Sequence, residues 1–125
     1  MCVVETLLIV DDEEHQRLLY QEELGEEGYQ VILAGNGKEA LERLSESVPD
    51  LIVLDVRMPI MNGLEALGKI IGKEKGIPVI IHSAYSSYKD DFMSWAADDF
   101  VVKSSDLTEL KRKIRELLDK KRAER

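Results

Sequence analysis

Five residues carry the groups from which a reaction could be built: Asp11, Asp12, Asp55, Ser83 and Lys103. Three carboxylates crowded together repel one another, and a hard divalent cation removes that conflict. Oxygen ligands with no His or Cys in the set select Mg2+, which keeps several waters and takes one or two carboxylates together with phosphate oxygens. A cation, a lysine and a hydroxyl around one carboxylate are the parts phosphoryl transfer requires. Asp55 is then the nucleophile, Lys103 and the metal neutralise the phosphoryl oxygens, and the Ser83 hydroxyl donates to one of them.

The chemistry depends on these residues meeting, and the apolar runs between them say how. Leu51-Ile52-Val53-Leu54 reads as a strand buried on both faces, the mark of a central parallel strand, with Asp55 at its carboxyl end and Pro59 beyond. Glu5 to Val10 is a second such strand and ends in Asp11-Asp12. Ile77 to Ile81 ends in His82-Ser83, and Phe100 to Val102 ends in Lys103. A fifth run, Gln30 to Ala34, drops no such group. Asp11, Asp12, Glu13 and Glu14 also suit the first turn of a helix, where free N–H groups favour negative charge. That plainer role accounts for Glu13 and Glu14 better than for a paired Asp directly after a buried strand.

Between the strands the spacing predicts helices. One runs to about Glu27 with Leu19, Tyr20 and Leu24 inward and Gln16 and Glu23 unexplained, and Gly28 ends it. Another runs from about Lys38 to Glu46 with Ala40, Leu41 and Leu44 inward. A third follows Met61-Asn62-Gly63 with Leu64, Leu67, Ile70 and Ile71 at helical spacing, and a loosely striped one spans Ser87 to Trp95. Ser104-Ser105-Asp106 offers a cap to the last, whose face is Leu107, Leu110, Ile114, Leu117 and Leu118. Five βα units in series predict an α/β fold, a single doubly wound (βα)5 domain over residues 1–125 with a parallel sheet and helices on both faces. Residues 119–125, with little to bury, are expected to form a solvated last turn or two or the start of a linker.

Composition narrows the class. The 125 residues carry a net charge of −8 and 44% hydrophobic content, and no apolar run approaches the roughly 20 residues of a spanning helix. The N-terminus lacks a signal-peptide pattern, which predicts a cytoplasmic protein. Cys2, the single cysteine, stands without nearby His or Cys and reads as a bystander. Residues 1–110 hold 22 acids against 9 bases, whereas 111–125 hold 8 bases against 3 acids. An acidic body repels nucleic-acid phosphate, so direct nucleic-acid binding by this domain is not expected.

Asp11-Asp12, then Asp55 with Met58-Pro59 and Gly63, then Ser83-Ala84, then Lys103, in this order and over the whole chain, resemble the response-regulator receiver domains of bacterial two-component signalling. The resemblance implies strand order 2-1-3-4-5 and phosphate transfer to Asp55 from a histidine kinase or phosphotransfer protein. It also implies Mg2+ bound by Asp12, Asp55 and the Arg57 backbone carbonyl, with Asp11 acting through water. Ser83 and Phe100 look like the switch pair that remodels the face of the fourth helix, fifth strand and fifth helix, through which an output domain, a downstream protein or a second copy would be engaged. Phosphorylation adds nearly two negative charges, and a hydroxyl drawn toward them vacates volume a ring can fill. The plainer role of Phe100 is core. Four positions stand out against the family's habit: Ser104 replaces the usual proline after the lysine, Ala96 stands where glycine often ends a helix, and Arg57 and Tyr85 are bulky beside the site, which implies slower dephosphorylation. An aspartyl phosphohydrolase is the alternative enzyme class. Such enzymes commonly place a second acid two residues after the nucleophile, and here that residue is Arg57. A scaffold that has lost phosphorylation is the other alternative, and the complete set of acid, hydroxyl and lysine gives it no support.

Overall fold

The computed structural model describes residues 4–55, 77–83, 99–102 and 107–123. The expected helices after Gly63 and over Ser87 to Trp95, the Ser104-Ser105-Asp106 cap, and Arg57, Tyr85, Ala96, Lys103 and Ser104 lie outside those residues. The described elements are β1 (Thr6–Val10), α1 (Glu14–Glu26), β2 (Gln30–Ala34), α2 (Gly37–Glu46), β3 (Leu51–Asp55), β4 (Val79–Ser83), β5 (Asp99–Val102) and α3 (Thr108–Ala123). The five strands form one parallel sheet in the order β2-β1-β3-β4-β5.

Strand alternation sorts the apolar runs onto two faces. Leu7, Ile9, Leu51, Val53, Ile80 and Val101 pack against Tyr20 and Leu24 of α1 and Leu110, Ile114 and Leu118 of α3. Leu8, Val10, Ile52, Leu54, Val79, Ile81 and Phe100 pack on the opposite side with Ala40 and Leu44 of α2. Both sides of the sheet are therefore covered, which is why its central strands are apolar at every position rather than at alternate ones.

Strand ends and helix faces differ in places from the sequence reading. β4 starts at Val79 because Pro78 has no N–H for the ladder, although its carbonyl accepts from Ile52 N at 3.0 Å. Leu19, expected inward, is 40% exposed. The inward stripe of α1 is Tyr20 and Leu24, four residues apart, and Leu19 sits about 100° away from Tyr20 around the helix. Gln16, Arg17 and Glu23 occupy the half-buried margin of that stripe. Glu23 is there for a partner, since its Oε1 lies 3.2 Å from Lys111 Nζ on α3. At the far end, α3 continues to Ala123. Arg115 reaches back to pair with Glu5 and forward to Asp119, and Lys121 Nζ donates to the Asp50 carbonyl at 3.4 Å.

Candidate functional site at the carboxyl edge of the sheet

Strand register decides which residues end side by side. Val10 of β1 is the partner of Leu54 of β3, Asp55 of β3 is the partner of His82 of β4, and Ser83 of β4 is the partner of Val102 of β5. Asp11-Asp12 follow Val10, so three adjacent strands bring Asp11-Asp12, Asp55 and Ser83 to one edge, and β5 ends beside them at Val102. Neighbouring strands lie about 4.8 Å apart, which puts the β1 and β5 ends about 14 Å from one another with Asp55 and Ser83 between them. Groups on side chains as long as Asp and Lys can converge over that span.

The acid pair is divided in its exposure. Asp11 is 1% exposed, whereas Asp12 is open to solvent. Asp11 is also tied on three sides: its N–H donates to the Ala34 carbonyl at 3.0 Å, its Oδ1 accepts from Glu13 N at 2.9 Å, and its carbonyl accepts from Arg17 Nη1 at 2.7 Å. The carboxylate thereby serves the N–H groups at the start of α1, as the helix-start reading expects, while lying at the strand edge, as the site reading expects. A buried carboxylate held this way fixes the loop and leaves Asp12 facing outward.

On the neighbouring strand, Gly35 N donates to Glu39 Oε1 at 2.6 Å and Asn36 caps α2 by accepting from Glu39 N at 2.8 Å. Arg17 lies over this turn: a Cβ on Gly35 would meet its Nη1 at 3.2 Å and Glu39 Oε1 at 3.3 Å. The glycine makes room for the guanidinium that holds Asp11. Phe100 is 7% exposed and belongs to the core beside Val79 and Ile81, which is its plainer expected role.

The model for the response regulator receiver domain matches residues 7–115. The chain belongs to the response regulator receiver domain family. Among its relatives, the regulatory protein AtoC of Escherichia coli K12 is 34% identical over 112 residues, 88% of this chain and 24% of AtoC. The transcriptional regulatory protein PcoR of Escherichia coli is 33% identical over 123 residues, 97% of this chain and 54% of PcoR. This receiver thus spans about a quarter to a half of the length of these curated relatives. The solved response regulator TrrA of Thermotoga maritima, in complex with Mg2+ and BeF, is 46% identical with a TM-score of 0.83 over 91% of this chain and 99% of TrrA. TrrA has also been solved in complex with the histidine kinase ThkA, where it is 47% identical to this chain with a TM-score of 0.82 over 92% of this chain and 99% of that one.

For this receiver the structure brings Asp11, Asp12, Asp55 and Ser83 to one edge by backbone placement. Lys103 and Arg57 lie outside the described residues, each next to or two positions from a described strand end. The residues that sequence reasoning missed are supporting ones. Arg17 was unremarked, and His82 was passed over as part of a strand end, yet His82 is 2% exposed and its Nδ1 lies 2.8 Å from Tyr20 Oη. A signal existed: a histidine inside an otherwise apolar strand needs a polar partner when buried, and Tyr20 is the one hydroxyl on the inward stripe of α1.

Proposed function

We propose that Asp55 is the phosphoacceptor of this receiver, taking a phosphoryl group from a histidine kinase or phosphotransfer protein in a Mg2+-dependent reaction that alters the surface offered to an output domain or partner. The observation that supports this reading is the side-by-side ending of β1, β3, β4 and β5, with Asp11-Asp12, Asp55 and Ser83 at the ends of the first three and Lys103 next in sequence after the last. In the transfer, an Asp55 carboxylate oxygen forms a bond to phosphorus as the bond from phosphorus to the donor's imidazole nitrogen breaks, and the freed imidazole takes up a proton. Lys103 and the Ser83 hydroxyl would stabilise the charge on the phosphoryl oxygens.

The donor set fits a hard cation. Asp12 is solvent-facing and Asp11 is buried and constrained, which suits direct ligation by Asp12 and Asp55 with the Arg57 carbonyl, and assistance from Asp11 through water. Among the described residues no group of three His, Cys, Asp or Glu side chains forms a metal site, and the Asp55 side chain is not among those described. When bound, Mg2+ would offset negative charge at the phosphoryl oxygens. The TrrA structures with Mg2+ and BeF and with a histidine kinase support the same chemistry and the same class of partner here. The named relatives are regulatory proteins longer than this chain, PcoR a transcriptional one, which supports an output domain, with a second copy at the β5 and α3 face as a further partner. Among the described residues no helix is long and apolar enough to cross a membrane.

Incubation with Mg2+ and acetyl phosphate tests the proposal. One added phosphoryl group by intact mass, lost in Asp55→Asn and in excess chelator, is the expected result. Multiple turnovers would identify a phosphohydrolase instead, and no reaction at all would overturn the phosphoacceptor reading.

A further inference from the structure

Tyr20 on α1 and His82 on β4 are both buried, at 0% and 2% exposure, with Tyr20 Oη 2.8 Å from His82 Nδ1 and ring centroids 5.7 Å apart at 56°. Among the described residues, the sheet face around them is aliphatic: Leu7, Ile9, Val53 and Ile80. A phenylalanine and a leucine would fill such a place without a polar group to satisfy, so the pair serves geometry rather than burial. Its location says which geometry. His82 is the register partner of Asp55 and directly precedes Ser83, whose pairing with Val102 is the last of β4 and β5. Tyr20 stands on the helix whose Arg17 holds the Asp11 carbonyl at 2.7 Å. One helix therefore carries a tie to the acid loop and a strut to the strand end that bears the hydroxyl.

We propose that Tyr20 and His82 are positioning residues for phosphoryl transfer, with their hydrogen bond fixing the end of β4 so that Ser83 is set at its working distance from Asp55. This rests on the phosphoacceptor reading above. The strut acts on the hydroxyl side of the site and leaves the acid side to Arg17, so it separates two properties that general loosening would move together. Misplacing a reacting group costs rate steeply, by up to about a hundredfold for an ångström, and loss of one strut of several is expected to cost roughly three- to tenfold.

The full chain serves for the test, with acetyl phosphate as donor at saturating Mg2+ and calorimetric titration of Mg2+ alone. Tyr20→Phe removes one hydroxyl and no volume. It is expected to slow phosphorylation roughly three- to tenfold with Mg2+ affinity unchanged within about twofold. His82→Gln, whose amide can meet the Tyr20 hydroxyl, is expected to keep most of the rate. The double variant Tyr20→Phe/His82→Leu, apolar at both positions, is expected to regain urea resistance without regaining rate. Rates within twofold of wild type in both Tyr20→Phe and the double variant would overturn the proposal, as would a parallel fall in Mg2+ affinity. Failure of the unsubstituted chain to accept phosphate would instead sink the phosphoacceptor reading itself.

Discussion

Two glycines three residues apart respond oppositely to the same methyl group. Gly28 closes α1 with φ of +95°, the left-handed region where a Cβ crowds the following carbonyl, so Gly28→Ala is expected to cost about 1–2 kcal/mol in urea unfolding. Gly25 lies within α1, its added Cβ would meet nothing within 4 Å, and helix-interior glycine wastes conformational entropy. Gly25→Ala is therefore expected to stabilise by about 0.5–1 kcal/mol. Only the first of these was legible without coordinates, because Gly28-Tyr29 follows the helical stripe as a C-terminal stop. Tyr29 supplies a pH test at the same scale. Burial raises its pKa from the ordinary 10.0, and the opposing pull of Arg115 is the smaller influence. A folded-state pKa above the unfolded one means the neutral phenol is favoured in the fold. Its contribution is whole below about pH 10 and lost as pH rises through the raised value. Stability should fall in that alkaline window, and Tyr29→Phe should remove part of the slope in urea titrations taken at successive pH values.

α3 is held at the element scale by charges that no periodicity discloses. Its apolar face is plain in the sequence: Leu107, Leu110, Ile114 and Leu118 are buried as expected, and Leu117 is half-buried at its margin. What carries the helix past Leu118 is Arg115, whose Nη1 and Nη2 lie 2.9 and 3.1 Å from the two Glu5 oxygens, with the guanidinium 6.0 Å from the Tyr29 ring centre. The Glu5 side chain is 10% exposed and that of Arg115 is 42% exposed. Arg115→Met would leave a nearly buried carboxylate without its fork. A fully buried pair would lose several kcal/mol on such a change, and the half-open guanidinium reduces this to roughly 2 kcal/mol. Faster amide exchange confined to residues 115–123 is the accompanying signature, since the apolar face upstream keeps its contacts. Glu5 and Arg115 are 110 residues apart, as Tyr20 and His82 are 62 apart. Such pairs become readable only once the register of the strands and the facing of α1 and α3 are known. The same reason hid Glu23, whose partner Lys111 is 88 residues away, and misplaced Leu19. Apolar strands announce themselves locally, whereas polar ties between elements do not.

For the molecule as a whole, charge sets what the acid edge does before and after a cation arrives. The chain carries a net −8, and residues 1–110 hold 22 acids against 9 bases, so the β1 end belongs to a strongly acidic body. Asp11 is buried with its Oδ1 accepting from Glu13 N, whereas Asp12 is open to solvent. Like charges held at one edge destabilise the fold until a cation joins them. Asp12→Asn should then raise the melting temperature in excess chelator by a degree or a few, because it removes one of the repelling charges. In unsubstituted protein, Mg2+ at about a hundred times its dissociation constant should add about 2.7 kcal/mol, since only the folded chain brings the ligands together. For a domain of this size that amounts to roughly 5–10 °C. The same addition to Asp12→Asn should give a much smaller rise. The two melting curves should cross: the variant more stable without Mg2+, the parent more stable with it. A variant less stable in both conditions would show that Asp12 holds the loop together rather than waiting on an ion.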